Sequence, residues 1–362
     1  MFTQIETVAR FPVRGHHGHV PPVQTALPVV DLRLDPVVLR ERLRAVAHEV
    51  GFFHLTGHGV PDDLTDRVLA VARRLFSLPQ SDKDAVAMVN SPHFRGYTRL
   101  GGELTGGVVD WREQIDIGPE RAPLTDPAAP HLRLQGPNQW PPALPELPEV
   151  VAEWDAALAG VGRRLLRHLA ASLGSPEDVF DASFADAPAT LIKIVRYPAQ
   201  ADSSQGVGSH RDAGVLTLLF AEPGSRGLEV RVPGTGATGY GTGASGATGD
   251  GTGEWIEVDP LPGAFIVNIG EMLEIASGGY LRATEHRVRL SERERISVPY
   301  FFNPRLDARF PVLTLPADLA AQARGITADP SNERIFSTYG RNAWKSRLRA
   351  HPDVAAAHGY LV

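Results

Sequence analysis

GVGSHRDAGVLTLLF, residues 206–220, is the stretch on which fold and chemistry turn together. Glycines lead into His210, Arg211 and Asp212, and the run that follows is apolar and bounded by turn residues, as a buried strand is. In extended chain, positions i and i+2 point to one side. The imidazole of His210 and the carboxylate of Asp212 therefore face together, with Arg211 opposite. Such a pair at the mouth of an apolar strand is the beginning of a metal site. The other reading of the same residues has His210 closing a turn and Asp212 paired with Arg211.

A facial metal site needs a third ligand, and with no cysteine in the chain it must come from His, Asp or Glu. Of the histidines that follow, His286, His351 and His358, only His286 in "ATEHRVRL" opens another strand-like run. Two imidazoles and one carboxylate on one face of an octahedral ion leave three positions open, the arrangement that non-haem Fe(II) oxygen chemistry uses. After His286, the tight "SERE" turn (291–294) returns the chain as "RISVPYFF". Arg295 and Ser297 again share one side of a strand. A guanidinium fork beside a hydroxyl is a receptor for a carboxylate, and the flanking Val298, Tyr300, Phe301 and Phe302 put that face in an interior where Arg needs an anionic partner. Tyr197 in "IVRYP" is a candidate second donor to the same anion; the alternative is a ring packed in the core.

The rest of the chain frames this centre. Hydrophobic residues make up 43% and charged residues 22% of 362 positions, ordinary for a globular protein with a sizeable core. The net charge of −6, with dispersed arginines, excludes a nucleic-acid footprint. No apolar run is long enough for a signal peptide core or a membrane span, so a cytoplasmic protein without a membrane partner is expected. "LPVVDLRL" (27–34) and "FFHLTGHGV" (52–60) read as strands. "PVVLRERLRAVAHEVG" and "PDDLTDRVLAVARRLFSLP" read as helices, with Asp62 or Asp63 as cap or dipole partner. "VVAEWDAALAGVGRRLLRHLAASLG" carries a stripe of Val151, Trp154, Leu158, Val161, Leu165 and Leu169 at helical spacing. Residues 90–150 are rich in Gly and Pro and give no clear periodicity. From residue 189 short β-runs separated by turns follow one another, the pattern of a sandwich or barrel.

The set "LPVVDL", "GFFHLTGHGV", "RGY…DWREQIDIG", "RYP", "HRD", "HRV" and "RIS", in that order, resembles the isopenicillin N synthase-like family of Fe(II)- and 2-oxoglutarate-dependent oxygenases. The resemblance runs from about residue 27 to the C-terminal helix. It implies a mainly β protein with flanking helices, built on a distorted double-stranded β-helix (jelly roll). It implies His210, Asp212 and His286 as iron ligands, Arg295 and Ser297 as the pair on the distal carboxylate of 2-oxoglutarate, and Tyr197 as a further donor to that co-substrate, with O2 as oxidant. One departure is Glu271 in "VNIGEML", where the family often carries Asp. Another is the tract "PGTGATGYGTGASGATGDGTG", residues 233–253: His210 and His286 are 76 positions apart, and without these 21 residues the separation falls to 55, similar to the family's usual gap.

The expected organisation is a loose lead-in over 1–26, with His16, His17 and His19 on a solvated tract. An N-terminal α/β region follows over 27–175, then the oxygenase core over 176–315 with the 233–253 tract as a flexible insert, and a helical C-terminal region over 316–362. The reaction implied is oxidation of an unactivated C–H of a small molecule, coupled to decarboxylation of 2-oxoglutarate to succinate. Hydroxylation is the default outcome, with desaturation or ring chemistry open. Halogenation is disfavoured because Asp212 occupies the position a halide would take. The alternatives are an oxidase of the isopenicillin N synthase type that dispenses with 2-oxoglutarate, and a catalytically silent jelly-roll binding module. Candidates for the substrate pocket are Arg95 and Tyr97 of "FRGY", Phe302 and Asn303 of "FFNP", Phe336 and Tyr339. An Arg there would suit a substrate carboxylate or phosphate. A monomer or weak homo-oligomer is expected.

Overall fold

A computed structural model of the chain describes residues 27–200, 205–232, 253–326 and 335–360. The expected lead-in with its three histidines, and all of the 233–253 tract except Gly253, lie outside the described residues.

The strands are β1 (Val29–Asp31), β2 (Phe52–Thr56), β3 (Gly96–Thr98), β4 (Glu103–Thr105), β5 (Val108–Asp110), β6 (Glu113–Ile117), β7 (Leu191–Tyr197), β8 (Gln205–His210), β9 (Leu216–Ala221), β10 (Leu228–Val232), β11 (Glu254–Glu257), β12 (Phe265–Ile269), β13 (His286–Arg289) and β14 (Arg295–Phe302). Eight of them form one sheet in the order β1-β2-β12-β9-β14-β7-β6-β3, and four form a smaller sheet in the order β11-β10-β13-β8. The two sheets stack as the halves of a distorted double-stranded β-helix. β1, β2, β3 and β6 come from the first third of the chain, so the N-terminal region contributes strands to the large sheet itself.

Alternation along the strands divides the apolar side chains into two layers. Val195, Tyr197, Ala221 and Ile266 from the large sheet meet Val207, Leu228, Val230 and Val288 from the small one, filling the space between the sheets. The opposite face of the large sheet, with Ile192, Ile194, Leu218, Val267, Val298, Tyr300 and Phe302, packs under three helices, Pro36–Glu49, Asp62–Ser77 and Leu147–Ser172. All six residues of the stripe read from the last helix are buried. Gly162 in that helix is a close approach: a Cβ there would stand 2.7 Å from the Phe302 ring. In the second helix Pro61 occupies the cap and Asp62 and Asp63 fall in the first turn, so the acids act on the helix dipole and not as the cap. The stretch that lacked periodicity in sequence holds short strands and 3-10 turns, and no helix before Leu147. A third cluster, with Met88, Phe94, Leu134, Leu348, Val354 and Ala355, seats the C-terminal helices Tyr339–Ala350 and Pro352–Ala357 against this region. Among the described residues no helix is long and apolar enough to cross a membrane.

β10 and β11 pair antiparallel through Val232↔Glu254, so the ends of the Gly/Thr tract are already held as cross-strand neighbours. A short turn can join them. Loop length changes closure entropy only by about 0.6 kcal/mol per doubling. Replacing 233–253 by a four-residue turn is therefore expected to leave the melting temperature within a few degrees of the parent, measured by circular dichroism. A cooperative transition lost or moved down by more than about ten degrees would show that the tract packs on the core.

Candidate metal and co-substrate site

β8 and β13 are neighbours in the small sheet, and their register sets His286 directly opposite His210. The ring centroids are 4.3 Å apart. Asp212, two residues beyond the end of β8, brings Oδ1 to 3.7 Å from His210 Nε2 and 3.9 Å from His286 Nε2. Among the described residues these three are the one His/Asp/Glu group whose ligand atoms come close enough together to hold a metal ion. His351 and His358, the other candidates, lie elsewhere: His351 is buried 3.7 Å from Glu103, and His358 contacts the Val89 carbonyl.

The surroundings suit the ligand role atom by atom. His210 Nδ1 lies 2.8 Å from the Gly208 carbonyl and His286 Nδ1 lies 3.0 Å from the Thr284 carbonyl. With Nδ1–H donating to those carbonyls, each Nε2 lone pair is aimed at the common point. Asp212 uses Oδ2 to accept from Thr217 Oγ1 (2.5 Å) and Asn268 Nδ2 (2.8 Å), which leaves Oδ1 for the cluster. It does not pair with Arg211. Its main-chain carbonyl accepts from the backbone N–H of Glu271 at 2.8 Å, a contact that the Asp-to-Glu departure leaves intact. Burial opposes ionisation of Asp212, but the imidazoles of His286 and His210 and the two hydrogen bonds outweigh it and hold the carboxyl below its usual range. Burial, reinforced by His210, lowers His286 to about 4, so its ring is neutral and available as a ligand near pH 7. Phe52 backs that ring edge-on at 5.1 Å.

The second constellation lies in the same interior, on the large sheet. Arg295 and Tyr197 are cross-strand partners on β14 and β7, and the guanidinium lies 4.4 Å from the centroid of the Tyr197 ring. Ser297 follows on the same face. Arg295 is 3% exposed. It donates from Nη1 to the Arg226 carbonyl at 3.0 Å, its Nε has no partner, and no acidic side chain is ion-paired to it among the described residues. Burial pulls its pKa below the usual arginine value. A buried guanidinium with an orphaned N–H calls for an anionic partner, so these residues fit the distal carboxylate of a metal-chelating keto diacid.

The remaining candidates divide. Phe302 stacks on Phe184 at 4.4 Å under the helices, on the face of β14 away from the metal cluster. Tyr97 also turns to the helix side and donates to Glu113, which Lys83 and Arg196 neutralise. Phe336 carries the Arg341 guanidinium over its ring at 3.8 Å. Asn303 stands nearer: its Oδ1 accepts from Val215 N at 3.2 Å, three residues after Asp212. Tyr339 is buried at the start of the helix Tyr339–Ala350. Arg95 is buried against the Leu134 carbonyl.

Several contributors escaped the sequence reading. Thr217 and Asn268 are the polar residues inside "GVLTLLF" and "GAFIVNI", and a polar residue in an apolar strand was the available signal. Asp110, Arg112, Gln114 and Asp116 alternate along "DWREQIDI" and build a buried ionic ladder. Asp116 pairs with Arg347 and Lys193 (3.5 Å), Lys193 with Glu103 (2.8 Å), Glu103 with Arg112 (3.0 Å) and Arg112 with Asp110 (3.3 Å). Asp110 then accepts from Gly208 N at 3.1 Å, the residue whose carbonyl orients His210.

Comparison with known proteins agrees with this geometry. Residues 27–143 match the family described as non-haem dioxygenase in morphine synthesis, N-terminal, and residues 189–304 match the 2OG-Fe(II) oxygenase superfamily. The chain belongs to the Fe(II)- and 2-oxoglutarate-dependent oxygenases. The 2-oxoglutarate-dependent dioxygenase frbJ of Dothideomycetidae sp. (strain 11243) is 30% identical over 354 residues, 91% of this chain and 90% of its own. The homoarginine-6-hydroxylase 2-ODD-C23 of Glycine max is 33% identical over 286 residues, 75% of this chain and 80% of its own. Among solved structures, JOX2 in complex with 2OG, Fe and JA superposes with a TM-score of 0.66 at 25% identity, covering 92% of this chain and 89% of that one. A 2OG-Fe(II) oxygenase family protein of Caulobacter crescentus gives 0.69 at 25% identity, covering 90% and 98%.

Thr217→Val keeps volume and removes one donor from Asp212. Loss of such an outer hydrogen bond costs about 10–100-fold in metal affinity. Cobalt(II) titration of the metal-free protein is expected to show at least tenfold weaker binding in the variant; unchanged affinity would show that Asp212 is not held for a metal.

Proposed function

We propose that His210, Asp212 and His286 bind one Fe(II), that Arg295 and Ser297 bind the distal carboxylate of 2-oxoglutarate with Tyr197 beneath the guanidinium, and that the protein hydroxylates an unactivated C–H of a small molecule. The observation that carries this is the combination, in one interior, of two facing imidazoles and a tethered carboxylate with a buried arginine to which no acidic side chain is ion-paired among the described residues. Bound at the site with 2-oxoglutarate and O2, ferrous iron supplies oxygen insertion into C–H, with succinate and CO2 as the co-products.

The protein's part is positioning. The Gly208 and Thr284 carbonyls fix which imidazole nitrogens face the metal. Thr217 and Asn268 keep Asp212 from rotating and keep it ionised. Arg295 sets the depth of the diacid. Its bidentate fork and the Ser297 hydroxyl offer charge-assisted hydrogen bonds of about 1.5–3 kcal/mol each. The apolar lining of Val207, Val288 and Ile266 keeps bulk water from the interior. The relative frbJ is named a 2-oxoglutarate-dependent dioxygenase and JOX2 is solved with 2OG, which favours this reading over an oxidase that dispenses with the keto acid, and a binding module has no use for a tethered ligand set.

His210→Ala and His286→Ala are expected to lose bound iron and turnover while keeping the parent circular dichroism spectrum; full iron loading in both variants would remove the assignment. Arg295→Lys keeps the charge and loses the fork. The 2-oxoglutarate concentration for half-maximal succinate release is expected to rise at least tenfold, and an unchanged value would place the co-substrate elsewhere.

A further inference from the structure

A cleft opens between the segments that follow β6 and precede β7 and the C-terminal helix Tyr339–Ala350, lined by Arg95, Arg121, Leu134, Gln135, Tyr339 and Arg347. Three guanidiniums on one small cavity are unusual, because like charges repel and burial penalises each. Arg347 is neutralised by Asp116. The other two are not. Arg121 donates only to the carbonyls of Ala187 (3.3 Å) and Pro188 (3.0 Å). Arg95, 8% exposed, donates from Nη2 to the Leu134 carbonyl at 3.2 Å, and its Nε has no partner. No acidic side chain is ion-paired to either among the described residues.

The site is built and not accidental. Gly118, at the end of "DWREQIDIG", lies against the Arg95 guanidinium, and any Cβ there would collide with it. The glycine therefore clears the place that the Arg95 guanidinium occupies. Burial, with repulsion from Arg347, lowers Arg95 only to about 10, so it stays charged near pH 7. The cleft adjoins the chain that leads to the metal end: Ala189, which lines it, donates to the Pro304 carbonyl at 3.1 Å, and the neighbouring Asn303 accepts from Val215 N, three residues after Asp212. Arg347 joins it a second time, as the last rung of the ionic ladder that ends on Gly208 and His210.

We propose that this cleft is the subsite for an oxyanion group, carboxylate or phosphate, on the primary substrate, with Arg95 and Arg121 supplying the charge and Tyr339 one wall. The proposal rests on the reading of the chain as an Fe(II)/2-oxoglutarate oxygenase of a small molecule, and adds what that molecule must carry. An oxyanion supplies the missing counter-charge to the buried Arg95 and the half-buried Arg121 at once, whereas a neutral or cationic group leaves both uncompensated.

The test uses the full chain loaded with Zn(II) and 2-oxoglutarate, so that the Arg295 site is filled and no turnover occurs. Propionate, methylphosphonate and the neutral 1-propanol serve as probes, with binding read by saturation-transfer NMR. At least one of the two anions is expected to bind and propanol not to. Binding should weaken at least tenfold in Arg95→Gln and in Arg121→Gln and return in part in Arg95→Lys, each variant being checked for fold by circular dichroism. Propionate alone binding identifies a carboxylate, methylphosphonate alone a phosphate-like group. Neither anion binding, or equal binding in both Gln variants, overturns the proposal; so does binding lost only in Arg295→Lys, which would assign the probes to the co-substrate pocket. Substrate-free conversion of 2-oxoglutarate to succinate by the Fe(II)-loaded parent, measured alongside, reports separately on the oxygenase reading. Its absence would remove that reading, while its presence with no anion binding would remove only the subsite.

Discussion

The candidate metal site depends on the pairing of β8 with β13. His210 and His286 are far apart in the chain, and only a cross-strand register brings their rings to 4.3 Å. A slip of one residue would turn one imidazole to the outside of the sheet. Asp212 can then complete the set because it leaves the same strand end, and its own orientation is secured from the opposite sheet by Asn268 on β12 and Thr217 on β9. The site thus spans both sheets, and the stacking of the jelly roll is itself a condition of its geometry.

The large sheet does two separate jobs on its two faces. On the helix side it is an apolar layer, interrupted by the buried Glu113 with Lys83 and Arg196, and sealed by the stripe of the helix Leu147–Ser172 and by the close contact of Gly162 with Phe302. On the inner side it is polar at both ends. Arg295 sits at one end without a counter-ion, while Asp116 and Lys193 sit at the other in a ladder whose charges are matched rung by rung. Buried charges that are paired therefore coexist with buried charges that are not, Arg295 and Arg95 among them. Desolvation makes such groups costly unless an anion arrives, which gives the free protein a built-in preference for anionic ligands.

Period-two logic made the centre legible in sequence: His210 with Asp212 and Arg295 with Ser297 are i, i+2 pairs, and strands preserve that facing. The long amphipathic helix was legible for the same kind of reason. What was not legible depended on partners distant in the chain. Phe302 and Tyr97 carry the right chemistry for a pocket, but strand parity sends Phe302 to the helix layer, and the buried Glu113 draws Tyr97 there. The stretch 90–150 lacks periodicity because its order comes from charge pairing, with Asp110, Arg112 and Asp116 held by Lys193, Glu103 and Arg347. Nothing local announces such a ladder except its alternation.

The central claim is that an iron-bound keto acid is held at its far end by Arg295. Anaerobic addition of 2-oxoglutarate to the Fe(II)-loaded protein tests it most directly, because chelation of iron by a keto acid produces a visible metal-to-ligand charge-transfer band. The account predicts that the band appears and saturates in the parent protein, and that in Arg295→Lys it requires a higher concentration. No band in the fully iron-loaded parent, together with oxygen uptake on substrate without any keto acid, would contradict it.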